Sequence, residues 1–353
     1  MKNIIYLFAA LFLVLVLSAC NSGDEETSEE NNEAAAEAEE ESESSDSESN
    51  SEPAEGAEMP SEISFASASV GGFWHTLSGS MGDDLDTVFP ESNTTIVEGG
   101  SISNMIGMNN GTYALGFANA PNVIEAYEGK GDFPEPVENV SLLATMYPNT
   151  LHIVVREDSD IETVEDLAGK KVSPGTKGYS AEITFQEVLD GYGMSYDDLG
   201  GIEYTGTSDA GDLLRDGHID AIVSLLAAPV STVQELDTTL GVRLIPLDQE
   251  VISSLSEKNP GYLEYTIEPG TYSNIEEEVQ TIAAYTVLMA SADVVSEEAA
   301  YEITKMTFEN KDKYVSLSSV LEDYNEEYSV ENATSEFHPG AVKYYEEQGI
   351  EIE

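Results

Sequence analysis

The sequence predicts an α/β protein of two units, each a mainly parallel sheet covered by helices on both faces. From about Ile63 onward, short apolar runs alternate with segments of three-to-four apolar spacing, which is typical of strands and helices in turn. This part spans about 290 residues, enough for one large or two medium cores. One alternating set precedes Pro148 and another follows it, so we expect two sheets.

The first unit is predicted to open with a strand at 62–66 and a glycine turn. A helix over 75–88 follows, because Leu77, Met81, Leu85 and Val88 recur at helical spacing. The same alternation then predicts a strand at 94–98, a helix through Met108, a strand at 113–118, a helix at 121–127 and two strands, 140–146 and 151–155, separated by Pro148.

The second unit repeats this alternation. A short helix from Thr163 leads into a strand that includes Val172, and a helix over 181–192 follows the turn at 176–180. Later elements are predicted as strands at 202–204, 219–224, 243–246 and 282–289 and as helices at 209–216, 229–236 and 297–313.

Candidate ligand-binding residues lie in the strand-to-helix turns, because open α/β sheets bind ligands there and helix amino ends attract anions. These residues are Gly72, Phe73, Trp74, Gly100, Ser101, Asn104, Asn119, Lys177, Gly178, Tyr179, Ser180 and Pro229. Each glycine turn alone is weak evidence, since tight turns need glycine for backbone reasons. Several turns on facing sheet edges are stronger evidence. None has the spacing of a nucleotide-binding loop.

Some of these residues have a structural interpretation beside the functional one. Trp74 and Tyr179 are either packing residues or an aromatic wall of the site. Lys177 pairs either with a carboxylate ligand or in a surface salt bridge. Three further residues are helix N-cap types first and ligand donors second, namely Ser101, Asn104 and Ser180.

The first twenty residues indicate export and lipid anchoring. One lysine precedes an apolar run from Ile4 to Leu17, too short to span a bilayer as a helix. The run ends in small residues before Cys20, the only cysteine, as in a bacterial lipobox. We therefore expect residues 1–20 to be a lipoprotein signal peptide, Cys20 to be lipidated and the protein to lie on the outer face of the cell membrane. The alternative is an ordinary secreted protein with an incidental cysteine.

Residues 21–62 are predicted to form a disordered acidic tether, since they contain no lysine, arginine or aromatic residue. The whole chain has 69 acidic and 13 basic residues and a formal net charge of -56. This excludes nucleic acid as a partner, because phosphate binding requires clustered cations. Acidity at this level favours a saline or alkaline habitat, where salt screens the repulsion.

Several motifs resemble the TAXI group of solute-binding proteins, which serve tripartite ATP-independent periplasmic (TRAP) transporters. They are SVGGFW at 69–74, EGGSISN at 98–104, EAYEGKGDF at 125–133, LAGKKVSPG at 167–175, GHIDA at 217–221, IEPGTY at 267–272 and HPGAVKYY at 338–345. The resemblance covers essentially the whole globular part in order, and the run from His338 is its most specific piece.

The resemblance implies a type II periplasmic-binding-protein fold, with two α/β lobes around a cleft and a hinge crossed twice. It places lobe I at 63–147, lobe II at 148–270 and the return to lobe I at 271–353. It also implies a small carboxylate ligand such as glutamate or 2-oxoglutarate and delivery to TRAP membrane subunits. The residues themselves predict no catalytic residue, metal or cofactor, because the histidines lack metal spacing and no Gly-x-Ser-x-Gly motif is present. Two alternatives remain open: a ligand sensor for a membrane signalling protein and an anchored hydrolase.

Overall fold

The computed structural model describes residues 59–70 and 72–352. Cys20, most of the acidic segment and Gly71 of the first glycine turn lie outside these residues, so the lipid anchor and the tether stay predictions. Within 59–70 and 72–352, no helix has the length and apolar content to cross a bilayer.

The first lobe opens with three parallel strands, each followed by a helix. Its elements are β1 (Glu62–Ala66), α1 (Phe73–Val88), β2 (Asn93–Val97), α2 (Ser101–Asn109), β3 (Leu115–Asn119) and α3 (Ala120–Glu128). β1 lies between β2 and β3 and pairs with both in parallel. The predicted order of this lobe is confirmed, and the carboxyl ends of its strands lead into the three helix starts.

β4 (Val140–Arg156) leaves the first lobe and enters the second as one continuous strand. The strand predicted to end at Met146, before Pro148, continues through the proline to Arg156. A proline is tolerated at this point because β7 pairs with β4 only from Thr150 onward, so Pro148 lies where one side of the strand has no ladder partner.

The second lobe repeats the strand-helix alternation after a short 3₁₀ helix at Glu165–Leu167. Its elements are β5 (Lys171–Ser173), α4 (Ser180–Gly191), β6 (Gly201–Ile202), α5 (Thr207–Arg215), β7 (Ala221–Leu226), α6 (Ser231–Thr239), β8 (Val242–Leu244), α7 (Gln249–Lys258) and β9 (Tyr262–Ile267). β5 pairs in parallel with both β6 and β7. The sequence predicted that Pro229 starts this helix. In the structure, α6 begins two residues later, at Ser231.

The chain returns to the first lobe through β10 (Val279–Ser291) and ends in α8 (Glu297–Glu309), α9 (Lys311–Leu317), α10 (Glu326–Glu331) and α11 (Pro339–Glu347). Just after the expected return at 271, Tyr272 and Ile275 pack in one buried cluster with Leu214 of α5 and Val233 of α6. The lobe boundaries themselves stay predictions. The single helix expected over 297–313 is interrupted at Asn310, whose side-chain amide donates to the Met306 carbonyl at 3.1 Å.

All strands belong to one hydrogen-bonded sheet path, β2-β1-β3-β10-β4-β7-β5-β6, with β8 on β4 and β9 on β10. Two separate parallel sheets were expected. The sheets merge because the two crossing strands, β4 and β10, run antiparallel to each other and are long enough to belong to both lobes. In each lobe three parallel strands therefore lie beside an antiparallel crossing strand, which confirms the two-lobed architecture with a twice-crossed hinge.

Each lobe has two buried apolar clusters, one on each face of its part of the sheet. In the first lobe, Leu77 and Phe117 belong to the cluster under α1 and α8, while Met105 and Val123 belong to the one under α2 and α3. The second lobe has one cluster under α4 and α7 and another under α5 and α6. Burying each large side chain in these four clusters contributes about 1.5–3 kcal/mol to folding.

Candidate ligand-binding cleft

The start of α1 lies over the crossing strands. Gly72 is the N-cap residue, and Phe73 and Trp74 form the first turn. The Phe73 ring packs against Tyr147 with ring centroids 5.5 Å apart. Trp74 is half-buried, and its indole N–H donates to Thr286 Oγ1 of β10 at 3.0 Å. The tryptophan therefore both packs against the core and contacts the second crossing.

Two residues that the sequence analysis did not select join this contact. Asn149, on β4, donates from its side-chain amide to Asn119 Oδ1 and to Thr286 Oγ1, both at 2.8 Å. Thr286 lies opposite Asn119 on one side and Tyr147 on the other. Both crossing strands contain further buried polar residues, including Thr145, Thr150 and Thr281, so strand position alone does not single out Asn149 and Thr286.

Trp74, Asn119, Asn149 and Thr286 form a hydrogen-bonded group, which we call the crossing network. Ser101, at the start of α2, contacts it through Asn119. Gly100 is the N-cap residue, and Ser101 is buried at the first helical position. Ser101 Oγ accepts the backbone N–H of Asn119 at 3.0 Å. Asn104 was expected as an N-cap or ligand donor, but its side-chain amide donates to the Ser67 and Phe117 carbonyls, both at 2.8 Å. It joins the ends of β1 and β3.

The start of α4 brings the second lobe against the first. Tyr179 is its N-cap residue, so Ser180 occupies the first helical position and does not cap the helix. Gly178 adopts a left-handed φ of 78° that favours glycine, and its N–H donates to Glu182 Oε2 at 3.1 Å. The buried Glu182 carboxylate thus already occupies the positive end of this helix.

The other two predicted site residues lie apart from the hydrogen-bonded network. Lys177 is exposed, and its ammonium nitrogen is 5.6 Å from the ring centroid of Tyr204. Pro229 follows β7, and the N–H of the next residue, Val230, donates to Tyr272 Oη at 2.9 Å. Ligand contact by Lys177 and Pro229 stays a prediction, as it does for the other ten residues predicted from the sequence.

His152 is linked through Tyr272 to Val230, the residue after Pro229. This link was not predicted from the sequence. Because Tyr272 Oη accepts from Val230, its proton is free to donate to His152 Nε2, 2.8 Å away. The Nδ1–H of His152 then donates to the Thr150 carbonyl at 2.9 Å. Burial lowers the pKa of His152 from 6.5 to about 4, so the ring is neutral at pH 7.

The network is composed of uncharged donors and acceptors. All three arginines of the chain are engaged elsewhere: Arg156 with Asp158, Arg215 with Asp212 and Glu235, and Arg243 with two backbone carbonyls. The described part of the chain holds no cluster of three or more His, Cys, Asp or Glu arranged to bind a metal ion. Such a surface is suited to binding by hydrogen bonds from side chains and helix amino ends.

The order of strands and the double crossing between two lobes define a type II periplasmic-binding-protein fold. The NMT1-like family matches residues 65–349, and the chain belongs to this family.

Solved structures with detectable likeness include three bacterial proteins. The periplasmic aliphatic sulphonate binding protein SsuA from Escherichia coli is 16% identical, with 82% of this chain and 83% of that chain covered and a TM-score of 0.43. The alkanesulfonate-binding protein SsuA from Xanthomonas axonopodis pv. citri is 16% identical, with 83% and 92% covered and a TM-score of 0.46. PhnD1 from Prochlorococcus marinus is 9% identical, with 74% and 90% covered and a TM-score of 0.49.

Proposed function

We propose that this protein is an extracytoplasmic solute-binding receptor that encloses a small ligand between its lobes. The observation that carries the proposal is the convergence of Trp74, Asn119, Asn149 and Thr286 where both strands cross between the lobes. A ligand held there contacts both lobes and the hinge at once, so its binding energy favours the closed arrangement. No catalytic role is proposed for any of these residues.

The proposed ligand is a small carboxylate such as glutamate or 2-oxoglutarate, with its charge held mainly by the first lobe. α1, α2 and α3 have no acidic residue in their first turns, so their amino ends remain favourable for an anion. The first turn of α4 holds Glu182, which opposes a second negative charge there. Lys177 would assist only after leaving the Tyr204 ring.

The ligand assignment is testable through the fluorescence of Trp74, the only tryptophan. We expect its emission to change on titration with at least one of glutamate, glutamine, 2-oxoglutarate or a C4-dicarboxylate. Asn149→Ala should weaken that affinity about tenfold, because Asn119 Oδ1 loses its side-chain donor and Thr286 Oγ1 keeps only the Trp74 indole N–H. Asn93→Ala, an exposed change at the start of β2, is the matched control and should leave the affinity unchanged.

Each outcome of this titration decides a separate part of the proposal. Tight binding of an uncharged sugar, with Lys177→Ala silent, would overturn the carboxylate assignment and leave the receptor function standing. Equal affinities of the Asn149→Ala and Asn93→Ala variants would show that the crossing network does not contribute to ligand binding. Native mass spectrometry of protein purified without added ligand identifies a solute that copurifies.

We further propose that Cys20 anchors the receptor and that a sodium-driven TRAP permease receives the ligand. Cys20→Ala should release the protein from membranes, because the acyl chains that hold it are attached to that sulfur. Ser22→Ala, two residues beyond, should leave it in the membrane fraction. Retention of the Cys20→Ala variant after a high-salt wash would contradict lipid anchoring.

The proposed delivery route is tested by reconstituting the receptor with candidate membrane subunits in vesicles. Uptake driven by a sodium gradient supports TRAP delivery, whereas uptake that requires ATP indicates an ABC-type permease. Control of a membrane kinase without uptake would support the sensor alternative instead.

A further inference from the structure

The segment 226–230 between β7 and α6, which we call the β7 turn, lies beside the crossing network. Its first residue pairs with Thr150, which follows Asn149 of that network along β4. Its second residue, Ala227, packs against the apolar first-lobe cluster that Trp74 also contacts. All side chains of the turn are apolar. The β7 turn is therefore placed to form an apolar wall of the cleft.

Tyr272 holds the β7 turn at its last residue. The Tyr272 hydroxyl accepts the backbone N–H of Val230 at 2.9 Å and donates to His152 Nε2, 2.8 Å away. Its ring stands edge-on to the imidazole, with ring centroids 5.8 Å apart. Tyr272 and His152 are each 1% exposed, so water does not replace either hydrogen bond. A single buried hydroxyl therefore joins the β7 turn to β4, the first crossing strand.

A tight turn in the IEPGTY motif at 267–272 brings Tyr272 to this position. Gly270 adopts a left-handed φ of 81°, which favours glycine. Thr271 donates to the Glu268 carbonyl from its backbone N–H at 3.2 Å and from its hydroxyl at 2.8 Å. The motif is thus folded on itself, and its own backbone fixes the direction of the tyrosine.

The segment after this motif is fixed to the other end of α6. The Asp237 carboxylate, which is 2% exposed near the end of that helix, accepts the Asn274 N–H at 3.0 Å. The Asn274 side-chain amide donates to the Asp237 carbonyl at 2.9 Å. Tyr272 at the start of α6 and Asn274 at its end therefore hold the helix and the β7 turn to the segment that leads into β10, the second crossing strand.

We propose that Tyr272 is a positioning residue of the ligand-binding site and acts on the ligand through the β7 turn. Its hydroxyl fixes the turn relative to the crossing strands, so the apolar wall need not be ordered when a ligand binds. Without the hydroxyl, the Val230 N–H and His152 Nε2 each lose a buried partner, and the turn is no longer held. The inference rests on the proposed receptor function, because a wall affects affinity only where a ligand contacts it.

Hydrogen exchange of the full chain tests whether Tyr272 fixes the turn, and it needs no added ligand. Tyr272→Phe removes the hydroxyl and keeps the ring, so amide exchange in the peptide that contains Val230 should become about tenfold faster. Tyr345→Phe is the matched control, because Tyr345 Oη is also buried and bonds to Ser329 Oγ and the Leu143 carbonyl in the first lobe. The control should leave exchange at Val230 unchanged. Equal exchange at Val230 in the two variants would overturn the inference.

Ligand binding then tests whether the turn acts on the site. Titration of Trp74 fluorescence with glutamate and with 2-oxoglutarate should give about tenfold weaker affinity in Tyr272→Phe and native affinity in Tyr345→Phe. Equal affinities of the two variants, together with faster exchange at Val230, would show that the β7 turn is not part of the site and would overturn the positioning role. Failure of the native protein to bind either solute would contradict the proposed ligand, and the exchange result would still decide whether Tyr272 fixes the turn.

Discussion

Gly340→Ala is expected to destabilise the protein by about 3 kcal/mol, because α11 packs on α8 with no space for a methyl group. A β-carbon at Gly340 would lie 2.0 Å from the Glu297 carbonyl oxygen and 2.6 Å from the Tyr301 backbone nitrogen. Both are backbone atoms of α8 or its first turn, so neither moves without shifting the helix. Urea unfolding followed by circular dichroism measures the loss as a lower midpoint.

Gly79→Ala is the matched control and is expected to change stability in the opposite direction. Gly79 lies inside α1, and nothing lies within 4 Å of the position that its β-carbon would occupy. Alanine in a helix interior is favoured over glycine by about 0.5–1 kcal/mol. If Gly340→Ala were as stable as Gly79→Ala, the close approach of α11 and α8 would be wrong.

The second large effect is a loss of stability in acid through His152. Its pKa lies at about 4 in the folded protein and 6.5 in the unfolded chain, so the unfolded chain binds a proton more readily. The contribution of the neutral ring is complete above pH 6.5, falls as the pH drops, and is lost below about pH 4. The difference corresponds to about 3 kcal/mol of unfolding free energy.

The measurement compares unfolding free energies between pH 7 and pH 4 in His152→Gln and in the native protein. The variant cannot take up this proton, so its stability should fall less steeply with acid by about 3 kcal/mol over the range. His218→Gln removes an exposed histidine and should follow the native curve. Parallel curves for native protein and His152→Gln would show that His152 does not titrate as its burial requires.

The sequence was most informative at the starts of helices. The helices at Phe73, Ser101 and Ser180 begin within two residues of their predicted positions, because glycine turns and helical apolar spacing are both local signals. Strand direction in the crossing was not predicted, since apolar spacing looks the same in parallel and antiparallel strands. For that reason two parallel sheets were expected where β4 and β10 join both lobes in one.

The hydrogen-bond partners within the cleft could not be predicted from the sequence for a related reason. Asn149 and Thr286 are 137 residues apart, and Tyr272 is 120 residues from His152. No local pattern identifies either pair, because each contact depends on which strands become neighbours in the fold. Asn104 shows the converse error: its type and position favoured a cap, yet the proximity of two strand ends gave its amide other acceptors.

The sequence by itself determined the alternation of strands and helices, the position of the turns that face the cleft and the strongly acidic composition, because each depends on residue type and short-range spacing. Only the tertiary structure decided that the two lobes share a sheet, that Ser180 lies between Ser101 and Asn122, and that His152 is buried and neutral. Those properties arise from distances between residues remote in the chain and from exclusion of water, which are set only when the whole chain folds.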